Sequence, residues 1–341
     1  RVARALAEAG APLTLAGRDP EAVRAVAEPL GLAWTALELT DAPALERALA
    51  EADVVLHAAG PFGTTSAPMR AACLRTRTHY LDLAGEWPVF AAAMAEDAAA
   101  KAAGILMMPG VGLTIAATDC LLALAAQAQP DAVKLRLGVS KAQVASRGTV
   151  LSAADLFGPG VIVRRGGALV SVPAGELACA FDFGEGLREA TAMSWADVVT
   201  AGVSTGVGDI EAYSELPWIQ RASYRAAGLA TAVTGPAPWR AMGRALARAW
   251  PEGPSDAQRA EARFVMVAEA IDPWRRVRRL RMRTLDGYGV SVLTAAAAVS
   301  RVLAGDVAPG FQTPSRVFGA DFVLGLGCAW LEPPSQAGRA A

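Results

Sequence analysis

The chain has little of what metal cages and disulfide scaffolds are made from. Its 341 residues include four cysteines and two histidines. Cys73, Cys120, Cys179 and Cys328 lie far apart, with no metal-ligand spacing, and His57 and His79 alone supply too few imidazoles for a zinc site. Reduced thiols fit a cytoplasmic protein. An excess of either charge is also missing: 32 basic residues balance 33 acidic ones, for a net charge of −1. Neither nucleic acid nor an anionic membrane is therefore expected as the main partner. Mean hydropathy is +0.30, yet the apolar excess is mostly alanine at helical spacing. Runs such as "VSVLTAAAAVS" fall short of the roughly 20 residues a membrane span needs, so no transmembrane segment is expected. The opening residues show no basic-then-apolar leader.

What is present is alternation. "APLTLAG", "AWTALEL", "DVVLHAAG", "HYLDLAG" and "GILMMPG" read as short apolar strands. Between them lie helical patterns near 20–31, 42–51, 66–76 and 88–103, and "TIAATDCLLALAAQAQ" follows the last strand. Asp19 is placed to cap the 20–31 helix, Pro20 suits its first turn, and Gly31 ends it. Strands alternating with helices of 10 to 15 residues mean βαβ units and a parallel sheet. Strands apolar on both faces mean a sheet covered on both sides. The expected fold is α/β, a Rossmann-type doubly wound sheet over residues 1–130.

After Pro130 the texture changes. "VKLRLGV" alternates, and "GVIVRRGGALVSV" reads as a hairpin turning at Gly166-Gly167. "RFVMVAEAIDPWRRVRRLRMRT" reads as two strands about an Asp-Pro turn. Helices are expected near 217–229, 236–249 and 289–303. This is a second α+β domain with an antiparallel sheet, residues 131–332, followed by a frayed tail, 333–341. In "WRRVRRLRMR", Val277, Leu280 and Met282 are expected inward. Arg278, Arg281 and Arg283 would then face out, as a solvated sheet face or as a seat for an anionic substrate handle.

In a doubly wound dinucleotide fold the second strand ends beside the adenosine ribose. A carboxylate there favours NAD, and an arginine accommodates the 2′-phosphate of NADP. "PLTLAG" ends in Gly17 followed by Arg18, which offers a planar fork of donors to a phosphate. Asp41, after the third strand, is either a contact for the adenine amine or a helix cap. Gly60, Pro61 and Gly63 follow the fourth strand and would let backbone approach the cofactor. "RVARALAEAG" reads as a first crossover helix ending at Gly10. A first strand and glycine loop of roughly 10 to 15 residues are then expected upstream.

At "DVVLHAAGPFG", "AACLRTRTHYLDLAGE" and "MMPGVGLTIAATDCLLALA" the chain resembles the saccharopine dehydrogenase-like oxidoreductases, most closely the branch with trans-acting enoyl reductases. The resemblance continues through "SRGTVLSAADLF", "FDFGEG", "DIEAYSELPW" and "GDVAPGFQTPSRVFGADFVL". It implies an NADP-binding Rossmann domain with a substrate and dimerisation domain, and hence a homodimer. It further implies reduction of a carbon–carbon or carbon–nitrogen double bond in a small-molecule or acyl substrate. The alternative is a non-catalytic homologue that binds NADP or a protein partner.

Ligands in open α/β sheets bind beyond the carboxyl ends of the strands. In "THYLDLAGE", Tyr80 and Asp82 share one face and Glu86 lies just past the strand end. These three are the candidate proton donors, to be set against a core tyrosine, a loop-binding aspartate and a carboxylate in a first helical turn. His79 points the other way, as a buried histidine with one hydrogen bond. Arg147 and Tyr213 are further candidates in the second domain.

Overall fold

The computed structural model describes residues 1–140, 147–156, 160–251 and 262–332, with the single positions 158, 253, 255 and 258. The 333–341 tail lies outside them. The described strands form three sheets. Thr14–Gly17 and Ala33–Ala36 make a two-stranded parallel pair. Val54–His57, His79–Asp82, Leu106–Met108 and Gly310–Phe311 make a four-stranded parallel sheet. The third sheet has nine strands. Its main path runs Ala329–Glu332, Val277–Thr284, Phe264–Ile271, Lys134–Val139, Asp209–Glu215, Leu187–Ala192 and Ala178–Asp182. A hairpin of Gly160–Arg165 and Ala168–Pro173 joins it through Asp209–Glu215. All its pairings are antiparallel except Asp209–Glu215 with Lys134–Val139.

The helix ends follow local chemistry. Asp19 accepts hydrogen bonds from Glu21 N and Ala22 N at the head of Pro20–Ala27, which quiets two of the four orphan donors there. The hairpin turns at Gly166 and Gly167, both at positive φ, as a tight hairpin turn demands. Two helices differ from expectation. The one expected at Ser66 begins at Phe62 and keeps Pro68 inside it. The expected 88–103 helix is two, Trp87–Ala95 and Asp97–Ala103, broken at Glu96.

The layers meet on one element. Helix Leu113–Gln127 is buried on nearly every side, as a helix apolar all round must be. It packs on Phe264–Ile271 and Val277–Thr284 of the nine-stranded sheet and on helices Asp197–Thr205 and Gly287–Leu303. Each fully buried leucine in it, such as Leu121 or Leu122, contributes about 1.5–3 kcal/mol. A division at residue 130 would assign Gly310–Phe311 to the second half, yet it pairs with Leu106 and Met107 of the first.

The arginine run reads differently in the structure. Val277–Thr284 pairs without a bulge against Phe264–Ile271. Arg279, not Arg278, therefore shares a face with Arg281 and Arg283, and Val277 lies on that face too. The register is fixed by ion pairs: Arg279 Nε to Glu269 Oε1 at 2.6 Å, Arg281 Nε to Glu332 Oε2 at 2.5 Å, and Arg283 Nε to Glu332 Oε1 at 2.6 Å. Carboxylates of the same sheet occupy the face expected to seat an anion.

Candidate active site

The carboxyl end of strand His79–Asp82 carries the densest polar geometry of the parallel sheet. Asp82 is fully buried. Its Oδ2 accepts from the Tyr80 hydroxyl at 2.5 Å, and its Oδ1 accepts from Ala84 N at 2.9 Å and Gly110 N at 2.7 Å. The alternation of the strand brings Tyr80 and Asp82 to one face, as the sequence implies. Gly110 is glycine for a physical reason. Its φ is +78°, and a Cβ there would sit 2.5 Å from the Phe90 ring. Burial pushes the Asp82 carboxyl up to about 6, against the pull of its three hydrogen bonds. Burial, with Asp82 beside it, also raises the Tyr80 phenol well above its ordinary value, so the phenol stays protonated and donates.

Glu86 is the N-cap residue of Trp87–Ala95 and is 6% exposed. Its Oε2 accepts from Gly85 N at 2.9 Å, and its backbone bridges to Trp195. That bridge lays the segment leading into helix Asp197–Thr205 over the strand end. Trp195 is held in turn by its indole N–H on Ser214 Oγ, 3.0 Å. His79 sits on the opposite face, where Nδ1 accepts from Leu106 N at 2.9 Å.

His57, at the end of Val54–His57, belongs to the same neighbourhood. Its ring lies edge-on to Phe62, with centroids 5.5 Å apart, and tilted against Tyr80 at 6.4 Å. Nε2 meets Thr65 Oγ1 at 3.0 Å. Burial first, then the Arg70 charge, lower its pKa to about 4, so the ring is neutral at pH 7. Arg70 is itself buried, between Ser66 and Glu96. No local pattern signals this layer beyond the presence of His57 in the strand.

A second buried acidic pair was not foreseen. Asp119 accepts from the Ser204 hydroxyl and from Ser315 N at 2.9 Å, and Ser204 meets Thr313 at 2.7 Å. Asp197 is fully buried, and neither of its oxygens makes a hydrogen bond of ordinary geometry. Burial raises its pKa to about 7, opposed by the Thr118 hydroxyl and aided by the Asp119 charge.

The residues proposed for a dinucleotide are spread along the strand ends. Gly17 closes Thr14–Gly17, and a Cβ there would meet Val23 Cγ2 at 2.6 Å. Packing of the following helix is thus sufficient reason for that glycine. Arg18 is exposed at the same strand end. Asp41 caps Ala42–Leu49, its Oδ1 accepting from Ala44 N at 3.0 Å. Gly60 and Pro61 form the turn after Val54–His57, and Gly63 lies in the first turn of the next helix. The Pro61 carbonyl accepts from Thr64 and Thr65. A Cβ at Gly63 would meet nothing within 4 Å, and one at Gly60 would touch only Phe62. No internal packing demands glycine at either place. A cavity of about 760 Å³ lies elsewhere, lined by Arg4, Val26, Leu30, Tyr288 and Leu293 among others. None of its lining residues belongs to the strand-end cluster. Among the described residues no group of His, Cys, Asp and Glu is arranged to hold a metal ion. No described helix is long and apolar enough to cross a membrane.

Residues 1–108 match the saccharopine dehydrogenase NADP binding domain. That span contains Thr14–Gly17, Val54–His57, His79–Asp82 and Leu106–Met108, and the loop that carries Gly110 follows it. The chain is 39% identical over 87 residues to the trans-acting enoyl reductase of Mycobacterium leprae (strain TN), covering 24% of this chain and 21% of that protein. It is 40% identical over 85 residues to the trans-acting enoyl reductase of Mycobacterium ulcerans (strain Agy99), covering 23% and 20%. Each alignment thus spans about a fifth of its curated relative. The apo saccharopine dehydrogenase (L-Glu forming) from Saccharomyces cerevisiae shares the fold, with TM-score 0.59 at 14% identity over 97% of this chain and 98% of that one.

Proposed function

We propose that the protein is a nicotinamide-dependent oxidoreductase that uses NADP(H) and reduces a C=C or C=N bond of a small-molecule or acyl substrate. The observation that carries the reading is the strand end in a domain of NADP-binding type. There Asp82, with its pKa near 6, stands beside Glu86 where ligands of such sheets bind. The residues fit a dinucleotide. Arg18 is exposed at a strand end, where a 2′-phosphate would be paired, and Gly60 and Gly63 leave backbone open to a ligand. When bound, the cofactor supplies the hydride.

The chain's own residues then hold the proton. Tyr80 keeps its hydroxyl hydrogen and donates it to Asp82 Oδ2. Asp82, titrating near neutrality, can carry a proton that a carboxylate in water would have lost. Glu86 is the less enclosed carboxyl and the one that would face substrate. The second reading is a homologue that binds NADP or a partner without turnover. It is favoured by the enclosure of Tyr80 and Asp82, both fully buried. Stopped-flow oxidation of NADPH against a panel of enoyl thioesters and cyclic imines separates the two. Turnover of any member supports the first reading, and tight NADPH binding without turnover supports the second.

A further inference from the structure

A buried polar cluster that the proposed reaction does not use lies where three elements meet. These are helices Leu113–Gln127 and Asp197–Thr205 and the start of helix Pro314–Phe318. Asp119 and Asp197 are both fully buried, and among the described residues no lysine, arginine or histidine pairs with either. A carboxylate taken out of water without a partner is among the costliest groups a fold can bury. Asp119 is provided for by the Ser204 hydroxyl and by Ser315 N. Asp197 is not. Neither of its oxygens accepts a hydrogen bond, and the Thr118 hydroxyl beside it donates to the Thr114 carbonyl.

Two hydroxyls share this condition. Thr200 Oγ1 and Ser315 Oγ are buried without partners, and their residues are 1% and 8% exposed. Thr200 stands one turn from Asp197 and one turn from Ser204, so the three lie on one face of their helix. That face meets Asp119, which holds both Ser204 and the backbone of Ser315. Four oxygens around one helix contact thus carry lone pairs that no donor meets. From this arrangement we propose that the cluster binds a monovalent cation, Na⁺ or K⁺, through Asp197, Thr200 Oγ1 and Ser315 Oγ, with Asp119 as a second counter-charge.

The donor chemistry selects the occupant. Carboxylate and hydroxyl oxygens suit hard cations, whereas soft metals take thiolate or imidazole. The three-member groups of His, Cys, Asp and Glu that would hold a divalent metal are absent among the described residues. One carboxyl is left without hydrogen bonds, and a single positive charge matches it. Protonation of Asp197 alone would leave the hydroxyls of Thr200 and Ser315 unanswered. A way in is also present. Ser204 lines a cavity of about 380 Å³ together with Gln127, Thr205 and Gly206. Helices Leu113–Gln127 and Asp197–Thr205 both end at this cavity, and helix C-termini favour a cation. The ion would tie the start of the second helix to the first. Trp195, two residues before Asp197, bridges to Glu86, so the ion would steady the cover over the strand end. The site stands whether or not the protein turns over a substrate.

The test is thermal unfolding of the full chain in potassium, sodium and choline chlorides at equal ionic strength and one mildly alkaline pH. The melting temperature should be about 2–4 °C higher in KCl or NaCl than in choline chloride, as for a site filled at roughly ten times its dissociation constant. The salt with the larger shift names the ion. Thr200→Val removes a ligand but no hydrogen bond, because Thr200 Oγ1 has none to lose. It should keep the parent's melting temperature in choline chloride and lose the cation shift. Asp197→Asn should lose the shift too. Its readout is the cation dependence and not the absolute melting temperature, since removing a buried carboxyl changes stability by itself. Thallium(I), a heavy analogue of K⁺, should give an anomalous diffraction peak beside Asp197 in crystals of the parent. Equal melting temperatures in all three salts would overturn the proposal. So would a cation shift that survives either substitution, or a thallium peak found only away from Asp197.

Discussion

The Tyr80 hydroxyl donates to Asp82 Oδ2 at 2.5 Å, inside a shell where both side chains are fully buried. Only one proton is shared along that contact. Removing either partner therefore changes what the other can hold. Asp82→Asn abolishes the titratable group, and turnover by the reductase proposed above should fall about 10²-fold. NADPH affinity should change little, because Asp82 and Arg18 stand at the ends of strands in different sheets. Tyr80→Phe leaves one buried Oδ2 without its donor and should cost about 1–3 kcal/mol of stability, read by denaturant unfolding. A melting temperature unchanged in Tyr80→Phe would show that the phenol's hydrogen bond contributes nothing.

Cofactor choice is expected to rest on Arg18. Arg18→Ala should weaken NADPH binding at least tenfold and leave NADH nearly unchanged, as loss of a charge-assisted pair of about 1.5–3 kcal/mol implies. Equal loss for both cofactors in fluorescence titrations would remove the 2′-phosphate from the account. Gly17→Ala is the companion measurement. Its Cβ collides with Val23, so it should destabilise the fold by about 1–3 kcal/mol without changing the NADPH-to-NADH ratio.

The pH dependence of stability should show the buried acids. Asp197 has a folded pKa near 7 against an ordinary 3.8, and Asp82 one near 6. A carboxyl whose pKa is raised on folding holds its proton longer in the folded state than in the unfolded one. Its contribution is full below about pH 4 and is lost as pH rises through 6 and 7. Asp197→Asn is neutral throughout. Relative to the parent it should therefore gain stability between pH 4 and 7, on the order of 4 kcal/mol in all, and level off above. Parallel unfolding free energies of parent and variant across that range would refute the assignment.

Gly110→Ala should be among the costliest single-methyl changes in the chain. The left-handed φ and the 2.5 Å approach to Phe90 act together, and the loop that donates Gly110 N to Asp82 would have to move. A loss of about 2–4 kcal/mol is expected, with the Asp82 pKa displaced upward as that donor withdraws. The displacement is readable from carboxyl chemical shifts.

Much of this was legible in the residues themselves. The apolar strands, the Asp19 cap, the Gly166-Gly167 turn and the shared face of Tyr80 and Asp82 all follow from spacing of a few positions. What spacing does not reveal is long-range meeting. Asp119, Ser204, Thr313 and Ser315 are separated by up to 196 positions and join only because helix Leu113–Gln127 lies at the centre of the fold. Of the three arginines expected on one face, Arg278 is the misplaced one, and Arg279 stands there with Arg281 and Arg283. The unbroken ladder to Glu269 decides the matter.

The separation of the two parallel ladders has a kinetic meaning. Thr14–Gly17 and Ala33–Ala36 bond only to each other, and at least half of their side chains are exposed. His79–Asp82, by contrast, is laddered on both sides and almost wholly buried. Amide protons of the first pair should thus exchange with deuterium through small local openings, while those of Tyr80 and Leu81 wait for the chain to unfold as a whole. Arg18, at the tip of the fast-exchanging pair, would then be the part of the fold that a bound dinucleotide slows most.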